Sequence, residues 1–205
     1  AMISRNYLEI DNSIIKMLSE KLLEYRHICI IGGSKCGKSM LAISIIDKLT
    51  SKYGSYREYE MDKIPGVGVA KKFVFPGIAT NIVFLKNVSG MTLLDLEMLC
   101  RKYYVISTFP IQSASMIPGR FQAFDSRYSE IPGYNNRLWD CIPIVVQNEK
   151  LGNGRVYSME IFKTEYHNEI INKQMICYFS RERSLFDEDY MLVKGKYVWS
   201  RDDLI

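Results

Sequence analysis

The sequence predicts an α/β fold in which helices flank a mainly parallel β-sheet, with an antiparallel β meander appended at the C-terminal end. Two apolar runs, Asn81–Leu85 and Tyr104–Phe109, have the near-continuous hydrophobicity of strands buried on both faces of a parallel sheet. From Cys141 onward, alternating segments separated by turns replace this pattern, which is typical of antiparallel strands. We therefore expect a core over residues 1–140 and a β-rich extension of the same domain over residues 141–205.

The composition is that of a globular domain with a sizeable core. The 205 residues are 47% apolar and 24% charged, and the net charge is +4. This small positive excess fits a phosphate-bearing ligand but does not predict nucleic acid as a partner. Because no apolar run reaches the ~20 residues of a membrane span, we expect a cytoplasmic protein with at most peripheral contact to the inner face of a membrane. Five cysteines without C-x-x-C spacing favour a reducing compartment.

The first helix is predicted over residues 12–25. Apolar side chains recur there at helical spacing, at Ile14, Leu18 and Leu22, and residues 11–13 are of types that cap helices. Such an apolar stripe normally faces a core.

Between the short apolar strand Ile28–Ile31 and a helix that opens on Met40, residues 32–39 fit G-x-x-x-x-G-K-[ST]. This is the Walker A motif, or P-loop, in which glycines let backbone N–H groups surround a phosphate. Lys38 would reach the β- and γ-phosphates, Ser39 would bind Mg²⁺, and the positive end of the helix would face the same anion. The motif therefore predicts ATP and Mg²⁺ as ligands. The predicted nucleotide-binding residues are Gly32, Gly33, Ser34, Lys35, Cys36, Gly37, Lys38, Ser39 and Met40, and Ser39 is the predicted metal ligand.

The acid that such a site needs for hydrolysis has no obvious place in the sequence. In P-loop folds an acid after a buried strand holds Mg²⁺ or activates water, but the run Asn81–Leu85 continues Lys-Asn-Val-Ser. A rival interpretation makes Leu93–Glu97 the acid-bearing strand, with Asp95 as the Mg²⁺ partner and Glu97 as the base. The favoured interpretation is a helix capped by Thr92.

Two further regions carry candidate functional residues. A weak strand is predicted at Tyr56–Met61, followed by Asp62. Residues 118–137 are predicted as a short helix and loops that expose three arginines, which are either solvated charges or groups that complete a neighbour's phosphate site. These arginines are Arg120, Arg127 and Arg137.

The C-terminal segments are predicted as strands joined by turns. They comprise Pro143–Gln147, Arg155–Phe162, Ile170–Phe179, Met191–Val193 and Tyr197–Trp199, with loops predicted at Ile64–Val69 and Gly152–Gly154.

Four segments, in order, resemble the type II/type IV secretion ATPase superfamily, the ring motors of pilus assembly and conjugative transfer. After the P-loop, Ile82–Gly90 is similar to the family's apolar strand ending G-E-V-R-G. Ser107–Ala114 is similar to S-T-I-H-A-N-S-A, and Val145–Glu160 to I-V-Q-x-E-R-L-x-D-G-R-x-V-x-x-I-x-E. The resemblance implies a RecA-like P-loop NTPase fold, ATP with Mg²⁺, and a place in a type II or type IV secretion or pilus complex, as a homo-oligomeric ring or as a subunit.

The departures from this family fall on the chemistry. Asn87 stands where the family has its Walker B glutamate, Ser89 where it has arginine and Pro110 where it has histidine. About 27 residues precede the P-loop strand, fewer than the N-terminal domain that these motors carry, so we expect that domain to be lacking.

We therefore predict an ATP-binding protein with weak or no hydrolysis, acting as a regulatory or structural subunit. One alternative is an active ATPase motor that uses Asp95 and Glu97, or Glu60 and Asp62, as acids; its catalytic residues would include Lys38, Asp95 and Glu60. A second alternative is an interaction module that has lost nucleotide binding.

Overall fold

The computed structural model describes residues 7–8, 11–53, 55–61, 81–152, 154–181 and 195–201. The predicted loop at Ile64–Val69, the predicted strand at Met191–Val193 and the candidate acid Asp62 lie outside these residues.

The described strands form one mixed sheet with the order β3-β4-β5-β2-β6-β7-β8-β9, and β1 pairs with β7. The strands are β1 Tyr7–Leu8, β2 His27–Ile31, β3 Tyr56–Glu60, β4 Ile82–Lys86, β5 Tyr104–Phe109, β6 Ile144–Lys150, β7 Arg155–His167, β8 Ile170–Arg181 and β9 Gly195–Trp199. Strands β3, β4, β5, β2 and β6 are mutually parallel, whereas β7, β8 and β9 continue the sheet in antiparallel fashion.

The expected parallel sheet and the appended meander are both confirmed, and they form one continuous sheet. Strand β6 joins them, because it pairs in parallel with β2 on one side and antiparallel with β7 on the other. The short parallel pairing of β1 with β7 was not predicted, since two residues carry no readable periodicity.

Five α-helices in the described residues cover the two faces of the sheet. They are α1 Asn12–Tyr25, α2 Lys38–Tyr53, α3 Leu93–Lys102, α4 Ile117–Phe124 and α5 Tyr134–Cys141. Alternate residues of β2 face the two layers: Ile28 and Ile30 pack in the cluster with α1 and α2, and Cys29 and Ile31 in the cluster with α3, α4 and α5. None of the described helices is both long and apolar enough to cross a membrane.

The local signals for two helices are confirmed. Asp11 caps α1 by accepting a hydrogen bond from the Ser13 N–H at 2.8 Å, and Thr92 caps α3 by accepting one from the Asp95 N–H at 3.2 Å. The interpretation of Leu93–Glu97 as a strand is therefore wrong. Its apolar residues follow the helical period, which buries one side of α3 against the sheet.

Candidate functional site

A cavity of about 340 Å³ opens where β2 ends and α2 begins. Its position is the carboxyl edge of the parallel strands, where ligands bind in open α/β sheets. The volume lies within the range of small-molecule sites. The lining residues are Ser34, Lys35, Cys36, Gly37, Lys38, Ser39, Met40, Asn87 and Pro110.

The loop that forms one wall of this cavity is curled by two residues in the left-handed region. Lys35 has a φ of 57° and Gly37 a φ of 69°. The chain then enters α2 directly at Lys38, so the first N–H groups of the helix, which have no intrahelical acceptors, lie at the cavity. The first turn of α2 contains no acidic residue, which leaves the positive end of the helix dipole uncompensated.

Lys38 is the buried cation of the cavity. The residue is only 8% exposed, and its ammonium group donates a hydrogen bond to the Gly33 carbonyl oxygen. Burial lowers the pKa of this ammonium, because a low-dielectric environment disfavours the charged form. Among the described residues that line the cavity there is no carboxylate, while Lys35 adds a second positive charge at the rim. The local charge therefore favours an anionic ligand.

The two glycines at the start of the motif do not line the cavity. A Cβ on Gly32 would lie 2.8 Å from the Asn148 carbonyl oxygen, so glycine is required there for the close approach of β6. Gly33 contributes the carbonyl that holds Lys38.

Asn87 and Pro110, which directly follow β4 and β5, also line the cavity. Asn87 has a φ of 57°, a conformation that asparagine tolerates better than most residues. Its backbone N–H donates to Thr108 Oγ1 at 2.9 Å, and the Val88 N–H donates to the Thr108 carbonyl oxygen at 2.8 Å. Two of the three positions at which the sequence departs from the secretion ATPases, Asn87 and Pro110, therefore line the cavity with the loop, and neither side chain is an acid or a base.

The three candidate acids that the structure describes, Glu60, Asp95 and Glu97, do not line the cavity. Glu60 forms an ion pair with Lys86 Nζ at 3.1 Å. Asp95 lies in the first turn of α3, and Glu97 accepts hydrogen bonds from both Nε and Nη2 of Arg137.

The expectation for the arginines is partly wrong. Arg120 and Arg127 are exposed, as expected, and Arg127 Nε lies 2.7 Å from Glu130 Oε2. Arg137 is instead partly buried, because its ion pair with Glu97 joins α5 to α3.

The structure also shows contacts of two polar residues around the loop that the sequence did not predict, although Thr108 was expected at the carboxyl edge of the sheet. Thr108 positions Asn87, and Asn148 on β6 donates from Nδ2 to the Cys36 carbonyl oxygen at 3.0 Å. Both side chains are buried. Thr108 is a polar residue inside an apolar run, which was an available signal, whereas Asn148 lies in the polar second half of β6, and only strand pairing shows what each side chain contacts.

Mg²⁺ fits this site as a partner of bound phosphate. Ser39 contributes one hydroxyl oxygen at the start of α2, and Mg²⁺ commonly combines one or two protein ligands with phosphate oxygens and water. In the described part of the chain, no group of three histidine, cysteine or acidic side chains could hold a metal by itself.

A mixed sheet flanked by helices, with a loop cavity at the carboxyl end of a central parallel strand, is an α/β architecture compatible with a P-loop ATPase-like fold. Among solved structures, the chain is similar to the X-ray structure of the Legionella pneumophila ATPase DotB, with a TM-score of 0.52 and 14% sequence identity. The match covers 78% of this chain and 52% of the DotB chain, so the chain spans about half the length of that relative. This likeness shows a common fold. No protein-family model matches the sequence, and no curated protein matches it.

Proposed function

We propose that this chain binds ATP with Mg²⁺ in the loop cavity and hydrolyses it weakly or not at all, as a regulatory or structural subunit of a motor assembly. One observation carries the proposal: the loop, Lys38 and Ser39 share a cavity with Asn87 and Pro110, and no described carboxylate lines it.

The binding half of the proposal follows from the charge and the donors of the loop. A triphosphate would accept hydrogen bonds from the N–H groups at the start of α2 and would receive the Lys38 ammonium in place of the Gly33 carbonyl. Hydrogen bonds to a charged acceptor are stronger than those to a neutral carbonyl, so this exchange is favourable. Ser39 would hold Mg²⁺ against the phosphate oxygens.

The prediction of weak hydrolysis follows from Asn87 and Pro110, which line the cavity where a catalytic acid or base would be needed. A positioned general base typically contributes about 10²–10⁴-fold to a rate, and the Asn87 amide is neutral at every physiological pH. Glu60 and Glu97 are each held by a cation away from the cavity.

The assembly role rests on similarity. The sequence resembles secretion and pilus motors over four segments, and the fold resembles the ATPase DotB. A subunit that binds ATP without consuming it can report nucleotide to a catalytic partner, because binding stabilises one conformation. An active motor is the second candidate, because Glu60 and Asp62 lie two positions apart in the sequence and could together supply the acids that hydrolysis needs.

The decisive experiment measures binding and turnover on the same preparation. We expect calorimetry with Mg-ATP to give saturable binding and steady-state phosphate release to stay near the uncatalysed rate. At ligand equal to about 100 times Kd, the free energy of unfolding should rise by about 2.7 kcal/mol. A parallel titration with Mg-GTP shows whether the site prefers adenine or guanine.

Each alternative predicts a different outcome. Brisk turnover that is lost in Glu60→Gln or Asp95→Asn would establish the active motor. Absence of both binding and thermal stabilisation at millimolar Mg-ATP would establish the interaction module and refute our proposal.

A further inference from the structure

Asn148 lies at an irregularity in the β6–β7 pairing. Gln147 pairs with Glu160 but Asn148 pairs with Ser158, so Met159 is an extra residue on β7. Such a bulge changes the direction of neighbouring side chains and is often found beside functional sites. Asn148 is 2% exposed, so its amide needs hydrogen-bond partners within the protein.

The Asn148 amide has partners on both of its ends. Its Nδ2 donates to the Cys36 carbonyl oxygen at 3.0 Å, and its Oδ1 accepts from Ser158 Oγ at 2.9 Å. Because a carbonyl can only accept, the NH₂ end must face Cys36, and this fixes Ser158 as the donor at the other end. The backbone of Asn148 also approaches Gly32, so this residue contacts the loop at two points.

The orientation of the Cys36 carbonyl determines where the next N–H points. In a trans peptide the C=O of one residue and the N–H of the next point in opposite directions. Holding the Cys36 carbonyl against Asn148 therefore directs the Gly37 N–H away from Asn148. Gly37 itself lines the cavity, whereas Asn148 does not. Gly37 has a φ of 69°, and a glycine would otherwise allow this peptide to rotate at little cost.

We propose that Asn148, oriented by Ser158, is a positioning residue that holds the Cys36–Gly37 peptide so that the Gly37 N–H faces a bound phosphate. This inference rests on the proposed function, in which the cavity binds nucleotide. The anion-binding conformation of the loop then depends on residues of the antiparallel β6–β7 pair, which lies outside the Walker A motif.

The test compares variants of this pair with a matched control on the same strand. Asn148→Ala should weaken Mg-ATP binding by about tenfold, the scale of one lost buried hydrogen bond, and Ser158→Ala should weaken it less. Asn148→Asp keeps the shape but cannot donate, so it should weaken binding at least as much as alanine does. Thr164→Val is the control, because the buried Thr164 hydroxyl donates to the Ile142 carbonyl oxygen at 2.7 Å at the opposite end of the β6–β7 pair.

A second measurement separates this inference from the proposed function. In ligand-free protein, Asn148→Ala should shift and broaden the amide resonance of Gly37 by exchange on the μs–ms timescale, and Thr164→Val should leave it unchanged. Wild-type affinity in Asn148→Ala, or an equal loss in Thr164→Val, overturns the proposal. If the wild type itself does not bind Mg-ATP, the proposed function fails, and an unperturbed Gly37 resonance in Asn148→Ala would also refute the positioning role.

Discussion

The two ends of β2 each carry a buried ionisable side chain, and the comparison between them separates a structural site from a functional one. At the amino end His27 is 1% exposed, and at the carboxyl end the chain leads into the loop and Lys38, which is 8% exposed. Burial lowers the pKa of both side chains. Burial and a shifted pKa therefore do not by themselves identify the functional end.

The hydrogen-bond partners make the difference. His27 Nδ1 lies 2.7 Å from the Cys141 carbonyl oxygen and Nε2 lies 2.6 Å from Ser107 Oγ. The carbonyl accepts, so Nδ1 carries the proton and Nε2 accepts from the hydroxyl, which satisfies the neutral ring completely. Lys38, in contrast, lines a cavity and donates to a backbone carbonyl. The hydrogen bonds of His27 are all satisfied within the protein. Lys38, by contrast, offers a positive charge to a ligand in the cavity.

The largest effect is expected from removing that cation. Lys38→Ala should weaken Mg-ATP binding by about 100-fold, because charge-assisted hydrogen bonds to phosphate are lost from a buried position. Calorimetric titration measures the change. The matched variant Lys35→Ala removes the same charge from an exposed residue at the rim, so its loss should be several times smaller. Equal losses would mean that general electrostatics, and not the position of Lys38, carries the binding.

The next largest effect concerns the stability of the amino end. Burial lowers the pKa of His27 from 6.5 to about 4, since desolvation outweighs the hydrogen bond to Cys141. The unfolded chain therefore binds a proton between these values that the folded chain does not. The stabilisation is complete above pH 6.5 and is lost as the pH falls toward about 4, by about 3 kcal/mol in total.

Urea unfolding between pH 7.5 and 5.5 checks this, because few carboxyl groups titrate there. The wild type should lose about 1 kcal/mol of unfolding free energy over this range, and His27→Gln should be less stable at pH 7.5 but show a flatter dependence. His167, whose side chain is exposed, provides the control: His167→Gln should keep the wild-type slope. A slope that survives in His27→Gln would contradict the assignment.

The sequence predicted the elements of the fold well, because each depends on local signals. Apolar runs identified β4 and β5, and the caps at Asp11 and Thr92 located two helices. It also predicted a loop between β2 and α2, and the binding of phosphate by that loop stays a prediction. Local sequence signals were therefore sufficient to predict these elements.

What the sequence did not predict depends on strand pairing. The contact of Asn148 with Cys36 joins residues that are 112 positions apart, and it lies beside a shift in the β6–β7 register that no local signal announces. The ion pair between Glu97 and Arg137 likewise required knowing that α3 and α5 are neighbours. Side-chain identity suggested exposure for Arg137, whereas tertiary packing gave it a partner.

A smaller effect is expected from returning an acid to the carboxyl end of β4. Asn87→Glu should raise the rate of phosphate release by about tenfold, below the usual contribution of a general base because the rest of the site is not arranged around it. A glutamate at a φ of 57° should also lower stability by about 1 kcal/mol. Asn87→Gln has the same length without the charge, and it should leave the rate unchanged. An equal increase in both variants would rule out acid–base chemistry as the cause.

The smallest effect tests whether Thr108 sets the position of Asn87. The Thr108 side chain is fully buried and accepts the Asn87 N–H at 2.9 Å. Thr108→Val keeps the shape of the side chain but leaves that N–H without its acceptor, so the free energy of unfolding should fall by about 1 kcal/mol. Thr108→Ser retains the hydroxyl and should lose less. If Thr108→Val keeps the wild-type stability while Thr108→Ser loses it, the methyl group stabilises β5 and the hydroxyl does not hold Asn87; urea unfolding at pH 7.5 measures both variants.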